Sequence, residues 1–116
     1  MTPELGRLAT ELTSVIDDAA AAFGAAAPTV SGELDCDPTH PGHLTCWQYG
    51  VRVDHPASPS TSLTSLLPSL HRDGWESHDR STPREQITRF TRDGADFTVH
   101  VAAAVTIIGS TRPVPA

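Results

Sequence analysis

The stretch QITRFTRDGADFTVHV restricts the fold of this chain more than any other feature. Its two halves alternate apolar and polar side chains, and Asp93-Gly94 between them is a favoured pair for a two-residue hairpin turn. A turn at that pair places Phe90 opposite Phe97, which makes an aromatic cross-strand contact. The sequence therefore predicts an antiparallel hairpin. Its strands are expected at 86–92 and 95–101.

The first 24 residues repeat apolar side chains every three or four positions, which indicates an amphipathic helix. Thr2 is suited to cap this helix, and Pro3 fits its first turn because a proline there loses no helical hydrogen bond. Gly24 follows the last apolar residue and ends the pattern.

A second helical pattern lies in TSLTSLLPSLHRDG, residues 61–74. Ser60 or Thr61 is expected to cap it. Pro68 in its interior removes a backbone donor and crowds the preceding turn. We therefore expect this helix either to begin late, near Ser65, or to kink at Pro68.

These elements predict an α+β domain, with one antiparallel sheet of about five strands and two helices packed on one face, in the order α-β-β-α-β-β-β. The other expected strands are 29–36, 44–53 and 105–108, with 75–79 as a further short candidate. A single domain is expected over 1–116, with flexible tails at 1–2 and 110–116. The residues expected in its core are Leu8, Leu12, Ile16, Leu66, Leu70, Phe97 and Val99.

The charge of the chain is unevenly distributed. The net charge is −6, lysine is absent, and residues 1–37 carry seven acidic residues against one arginine. We expect Glu11, Asp17 and Asp18 to face solvent, where they either attract a basic partner protein or only keep the domain soluble. The same acidic surface disfavours nucleic acid, and no apolar run is long enough to span a membrane.

Both cysteines lie in CDPTHPGHLTC, which joins the strands 29–36 and 44–53. Three states are open for this segment: a disulfide, two free thiols, or a zinc site formed by Cys36, His40, His43 and Cys46. Four ligands within eleven residues would strain the backbone, whereas two cysteines at the base of a hairpin loop suit a disulfide. A Cys36–Cys46 disulfide is therefore the favoured prediction.

Four other side chains are candidates for function. Trp47 and Tyr49 share one face of the strand 44–53 and are candidate binding residues. His78 and His100 lie on predicted strands and, with Arg89 nearby, would make an acid–base set for a small hydrolase or ribonuclease-like enzyme. No nucleophile triad, phosphate loop or dinucleotide-binding motif is present, so no cofactor is expected.

The cysteine pair followed by WQYGVRV, then LLPSLHRDGW, a hairpin and VTIIGST resembles small actinobacterial secreted or lipoprotein-type domains of unknown function. The resemblance covers most of positions 30–111. The order of helices and strands is also similar to that of small secretion-chaperone and toxin-immunity folds. These resemblances imply an envelope-associated or immunity-type binder, so we expect a non-catalytic protein-binding domain, with the histidine enzyme as the alternative.

The N-terminus lacks the basic and apolar regions of a signal peptide. The chain therefore fits either a cytoplasmic protein or the mature part of an exported one, located outside the cell or in its envelope.

Overall fold

A computed structural model describes all 116 residues. It is an α+β structure with two helices and one antiparallel sheet of seven strands. The helices are α1 (Pro3–Ala21) and α2 (Pro59–Arg72). The strands are β1 (Ala27–Asp35), β2 (Leu44–Val53), β3 (Glu76–Asp79), β4 (Gln86–Arg92), β5 (Ala95–Val101), β6 (Val105–Ser110) and β7 (Val114–Pro115).

The sheet has the spatial order β1-β2-β6-β5-β4-β3, and β7 pairs with β2. The prediction of about five strands is corrected to seven, because β3 forms at the candidate position and β7 was not predicted. The hairpin register is confirmed, since Phe90 pairs with Phe97 across β4 and β5. Their rings stack with centroids 4.9 Å apart.

The C-terminal segment differs from the expected flexible tail. The hydroxyl of Thr111 accepts a hydrogen bond from the backbone N–H of Trp47, and Val114 pairs with Thr45 and is 1% exposed. Pro113 has no N–H to donate, so it separates β6 from β7 and obscures the strand pattern in the sequence. The chain therefore continues along β2 after β6 ends.

Both helices pack on the same face of the sheet. A single core cluster joins the apolar stripes of α1 and α2 to alternate residues of β2, β4, β5 and β6. Of the predicted core residues, Leu12, Ile16, Leu70, Phe97 and Val99 are buried, whereas Leu8 and Leu66 are only partly buried. We call this helix-bearing side of the sheet the covered face and the opposite side the open face.

The helix ends follow the predicted chemistry only in part. The Thr2 side chain accepts a hydrogen bond from Leu5 N, which confirms it as the cap of α1. The predicted cap of α2 was wrong: Ser58 occupies the cap position in a left-handed conformation, its side chain makes no capping hydrogen bond, and α2 begins at Pro59. The helix runs through Pro68, so it does not begin late. Neither helix combines the length and the apolar composition that a membrane crossing requires.

Candidate binding surfaces

The Cys36–Cys46 disulfide is present, as predicted, and closes the β1–β2 loop. Cys36 lies opposite Leu44 and Cys46 opposite Leu34, so the two cysteines stand diagonally across the hairpin, with their Cα atoms 6.1 Å apart. With both sulfur atoms in the disulfide, the predicted zinc set keeps only His40 and His43. No three His, Cys, Asp or Glu side chains of the chain converge as metal ligands would.

The loop inside this disulfide is held by two aspartates. Asp35 accepts hydrogen bonds from the backbone N–H groups of Asp37 and Gly42. A hydrogen bond from the Thr39 hydroxyl, together with others from the N–H groups of Thr39 and His40, holds the pKa of Asp37 below its ordinary value. These carboxylates therefore order the loop backbone, and local hydrogen bonds occupy part of their accepting capacity.

The structure does not bring His78 and His100 together. His78 lies on β3 and is hydrogen-bonded through Nε2 to the Thr91 hydroxyl, whereas His100 lies on β5 with its Nε2 2.9 Å from a Glu85 carboxylate oxygen. Strand β4 runs between them, and two strand spacings of about 4.8 Å put their backbones roughly 10 Å apart. The two rings therefore do not share one reacting site.

Trp47 and Tyr49, the candidate binding residues of β2, lie on the covered face and not on the open face. Tyr49 is 7% exposed and Trp47 packs partly against the core beneath α1. The Tyr49 hydroxyl donates a 2.6 Å hydrogen bond to Asp17 of α1. Burial, with this carboxylate second, raises the pKa of Tyr49 to about 12. Both aromatic residues therefore attach α1 to the sheet.

The acidic side of α1 is also less free than its composition predicts. Glu11 pairs with Arg7 one turn away, and Glu4 pairs with Arg112 from the C-terminal segment. Asp17 is occupied by Tyr49. Of the three candidate acidic residues, Asp18 is the one with neither an ion pair nor a hydrogen bond from its side chain. Contacts within the protein therefore engage most of the acidic side chains that were expected to attract a basic partner.

An apolar surface on the open face was not predicted from the sequence. Val30 and Ile108 both reach over Gly50, where an added Cβ would lie 2.9 Å from the Val30 side chain and 3.1 Å from that of Ile108. Ile108 is 39% exposed, and Leu34, further along β1, is 42% exposed. The sequence signal was Gly50 itself, because a glycine inside a strand marks a close approach of neighbouring groups.

Two ion pairs lie on the same face as these apolar side chains. Arg52 pairs with Asp54, and Arg89 lies 3.5 Å from Asp96. Each pair carries no net charge, so the open face presents apolar side chains among balanced polar groups. That is the composition found at protein interfaces, where an apolar centre is surrounded by a polar rim.

Strand β1 adds an exposed sheet edge beside these residues, because it pairs on one side only. The backbone N–H of Cys36 donates to Leu44 O, which fixes the phase of the alternating hydrogen bonds. By that alternation, the N–H and C=O groups of Ser31 and Glu33 point away from β2. They are available to a further strand.

Comparisons with protein-family models, with curated proteins and with solved structures gave no significant match to this chain.

Proposed function

We propose that this chain is a non-catalytic protein-binding domain and that its partner docks on the open face of the sheet. The observation that carries the proposal is the exposure of Leu34 and Ile108, with the half-buried Val30, on the side of the sheet that bears no helix. Apart from Met1, Leu34 and Ile108 are the large apolar side chains that the fold leaves exposed. A partner that covers them removes apolar area from water, which favours association.

The edge of β1 supports the same proposal by a separate route. An extended segment of a partner that pairs with Ser31 and Glu33 would form main-chain hydrogen bonds beside the apolar side chains. Edge strands commonly carry charges that prevent uncontrolled pairing, and Glu33 and Asp35 have that place in β1. The Glu33 carboxylate lies 3.4 Å from the N-terminal nitrogen, and Asp35 accepts hydrogen bonds from its own loop, so a segment with neutral residues opposite them is the favoured partner.

The overall charge bears on how a partner approaches. The net charge of −6 favours encounter with a basic protein and disfavours nucleic acid. The disulfide supports an oxidising compartment such as the cell envelope or the exterior, because disulfides rarely persist in a reducing cytoplasm. We accordingly place the function among envelope-associated or immunity-type and chaperone-type binders.

The test is a paired capture from an extract of the source cells, read by quantitative mass spectrometry. The baits are the wild-type protein, the double variant Leu34→Arg/Ile108→Arg, and the control Ala22→Arg. The control adds an arginine at an exposed position at the end of α1, away from the open face.

A partner of the open face should be enriched equally by the wild type and the control. It should be depleted about tenfold or more by the double variant, because two buried guanidinium groups would oppose docking. Circular dichroism of the three baits establishes that each is folded. Equal capture by all three would contradict the proposed surface.

A further inference from the structure

The two edges of the sheet differ in length and in composition. Strand β3 forms one edge with four residues, Glu-Ser-His-Asp, and β1 forms the other with nine. Short polar edge strands resist pairing with other chains, whereas a long edge with apolar side chains favours it. Strand β1 carries the exposed Leu34 and the half-buried Val30 beside its free backbone groups. The β1 edge is therefore the place where the sheet can be extended.

Strand β1 is complementary to a second copy of itself. When two copies run antiparallel with Gly32 opposite Gly32, Ser31 of each copy lies opposite Glu33 of the other. Both residues direct their N–H and C=O groups away from β2, so each such pair can exchange two main-chain hydrogen bonds. In the same register Asp35 comes opposite Thr29. Neither acidic residue of β1 therefore faces another acidic residue directly.

The same register brings together the apolar side chains of the open face. Val30 and Leu34 lie two residues before and two residues after Gly32, so Val30 of each copy comes opposite Leu34 of the other. These are non-hydrogen-bonded pairs, in which side chains approach most closely. Leu34 is 42% exposed in the single copy, and this contact removes part of that area from water. No atom lies within 4 Å of a Cβ added at Gly32, so the centre of the contact is unobstructed.

Neighbouring registers are less favourable. A register centred on Glu33 would set the two glutamates directly opposite each other, and like charges in that position are destabilising. A register centred on Ser31 would set Val30 opposite Gly32 and would leave Leu34 without its apolar partner. Charge and apolar contact therefore both select the register centred on Gly32.

We propose that two copies of this chain form a two-fold symmetric dimer through their β1 edges, centred on Gly32. This inference rests on the proposed function for the use of the β1 edge as a protein-binding site, and it names the occupant of that edge. Pairing joins the two seven-stranded sheets into one continuous sheet. It also uses both β1 edges, so assembly closes at the dimer.

The size and the charge of the contact set its strength. The β-bulge between Pro28 and Val30 limits the paired segment at one end, and the disulfide-closed loop limits it at the other. Such a short contact belongs to the weak class of interfaces. Each copy has a net charge of −6, so the copies repel one another at low salt. The dimer should therefore be reversible and should strengthen with added salt, whereas binding of a basic partner should weaken.

The experiment is sedimentation equilibrium of the purified protein from about 10 µM to about 500 µM, a range suited to weak interfaces. Ser31→Pro removes an edge N–H that β1–β2 pairing does not use, and prolines are accepted in edge strands at such positions. Ser31→Ala is the matched control, because it keeps the N–H. The mass of the wild type and of Ser31→Ala should rise from 12.3 kDa towards twice that value. Ser31→Pro should weaken the dimer by about tenfold or more.

The register is tested by Gly32→Cys, with oxidised glutathione as the oxidant. Opposite residues of a non-hydrogen-bonded pair have Cα atoms about 4.5 Å apart, which lies within the range of a disulfide. A covalent dimer linked through position 32 should form, and peptide mapping should show Cys36–Cys46 intact. Ala22→Cys, at an exposed position at the end of α1, is the control and should remain monomeric.

A wild type that stays at 12.3 kDa at every concentration, or equal dimerisation of Ser31→Pro and Ser31→Ala, would overturn the proposal. Ile108→Arg should dimerise like the wild type, because β6 lies two strands in from the edge, whereas Leu34→Arg should not dimerise. A monomeric wild type that still captures a partner through the open face would contradict the dimer alone. A dimer that captures no such partner would contradict only the proposed docking on the open face.

Discussion

The covered and open faces are built from the same strands, yet they are stabilised in different ways. On the covered face, Phe90, Phe97 and Ile107 are completely buried beneath the helices. On the open face, Ile108 and Leu34 remain exposed and their neighbours form ion pairs. Adjacent residues of one strand, Ile107 and Ile108, thus have opposite environments. The difference predicts that packing on the covered face supplies most of the stability of this fold.

The largest expected effect tests that comparison directly. Phe97→Ala should lower the free energy of unfolding by about 3–5 kcal/mol, because it removes a buried ring that contacts both Phe90 and Trp75. Ile108→Ala should lower it by about 0.5–1 kcal/mol, since the side chain is 39% exposed and lies over Gly50. Urea unfolding of the two variants measures both values. Similar losses would show that the open face also contributes a core.

The disulfide closes the β1–β2 loop, a part of the molecule on which no helix packs. Replacing Cys36 and Cys46 together by serine should cost about 2–3 kcal/mol, as expected for a loop of about ten residues. Unfolding of the wild type with and without reductant provides an independent measurement. Intact mass after alkylation of the native protein counts the free thiols, and two alkylated thiols in oxidising buffer would contradict the bridge.

The two faces also differ in how well the sequence predicts them. The β4–β5 register and the disulfide follow from local patterns, a two-residue turn and a cysteine pair at the base of a hairpin, and both are confirmed. Strand alternation separates residues into two sets, but it does not say which set the helices cover. The pattern could therefore show that Trp47 and Tyr49 share one face and are candidate binding residues, but not that α1 packs over them.

Contacts between residues far apart in the chain could not be predicted either, because local sequence patterns do not show which segments meet in the fold. Arg112 forms an ion pair with Glu4 near the other end of the chain, and the Thr111 hydroxyl accepts a hydrogen bond from the backbone N–H of Trp47. Pro113 and Pro115 obscured the strand pattern of β7. Gly109 has no signal of its own in the sequence, yet an added Cβ there would clash with Asp96 O and with Phe97. Such packing constraints arise only when the strands are placed side by side.

A smaller effect concerns the bond that attaches α1 to the covered face. Tyr49→Phe should cost about 1–2 kcal/mol, because the Asp17 carboxylate loses a donor in a partly buried place. The effect depends on pH. The pKa of Tyr49 is raised from 10.0 to about 12 in the folded protein, so the folded state retains a proton that the unfolded chain releases.

The corresponding stabilisation is complete below pH 10 and is lost as the pH rises through about 12. Tyr49 is the only tyrosine of the chain, so tyrosinate absorbance reports its titration alone. Asp17→Asn should lower the observed pKa, since it removes the negative charge beside the hydroxyl. A wild-type pKa near 10 would show that the hydroxyl is solvated and that α1 is held by its apolar stripe alone.

The smallest expected effect lies in the ion pairs of the open face. Arg89 and Asp96 approach to 3.5 Å with side chains that are 46% and 35% exposed, so solvent screens their attraction. A double-mutant cycle with Arg89→Gln and Asp96→Asn should give a coupling free energy of about 0–0.5 kcal/mol, decreasing with added salt. A coupling above about 1 kcal/mol would show that this pair stabilises the sheet and is not free to rearrange. A weak coupling has a consequence for binding, because polar groups that contribute little to folding can exchange their partners for those of a docking protein at little cost in stability.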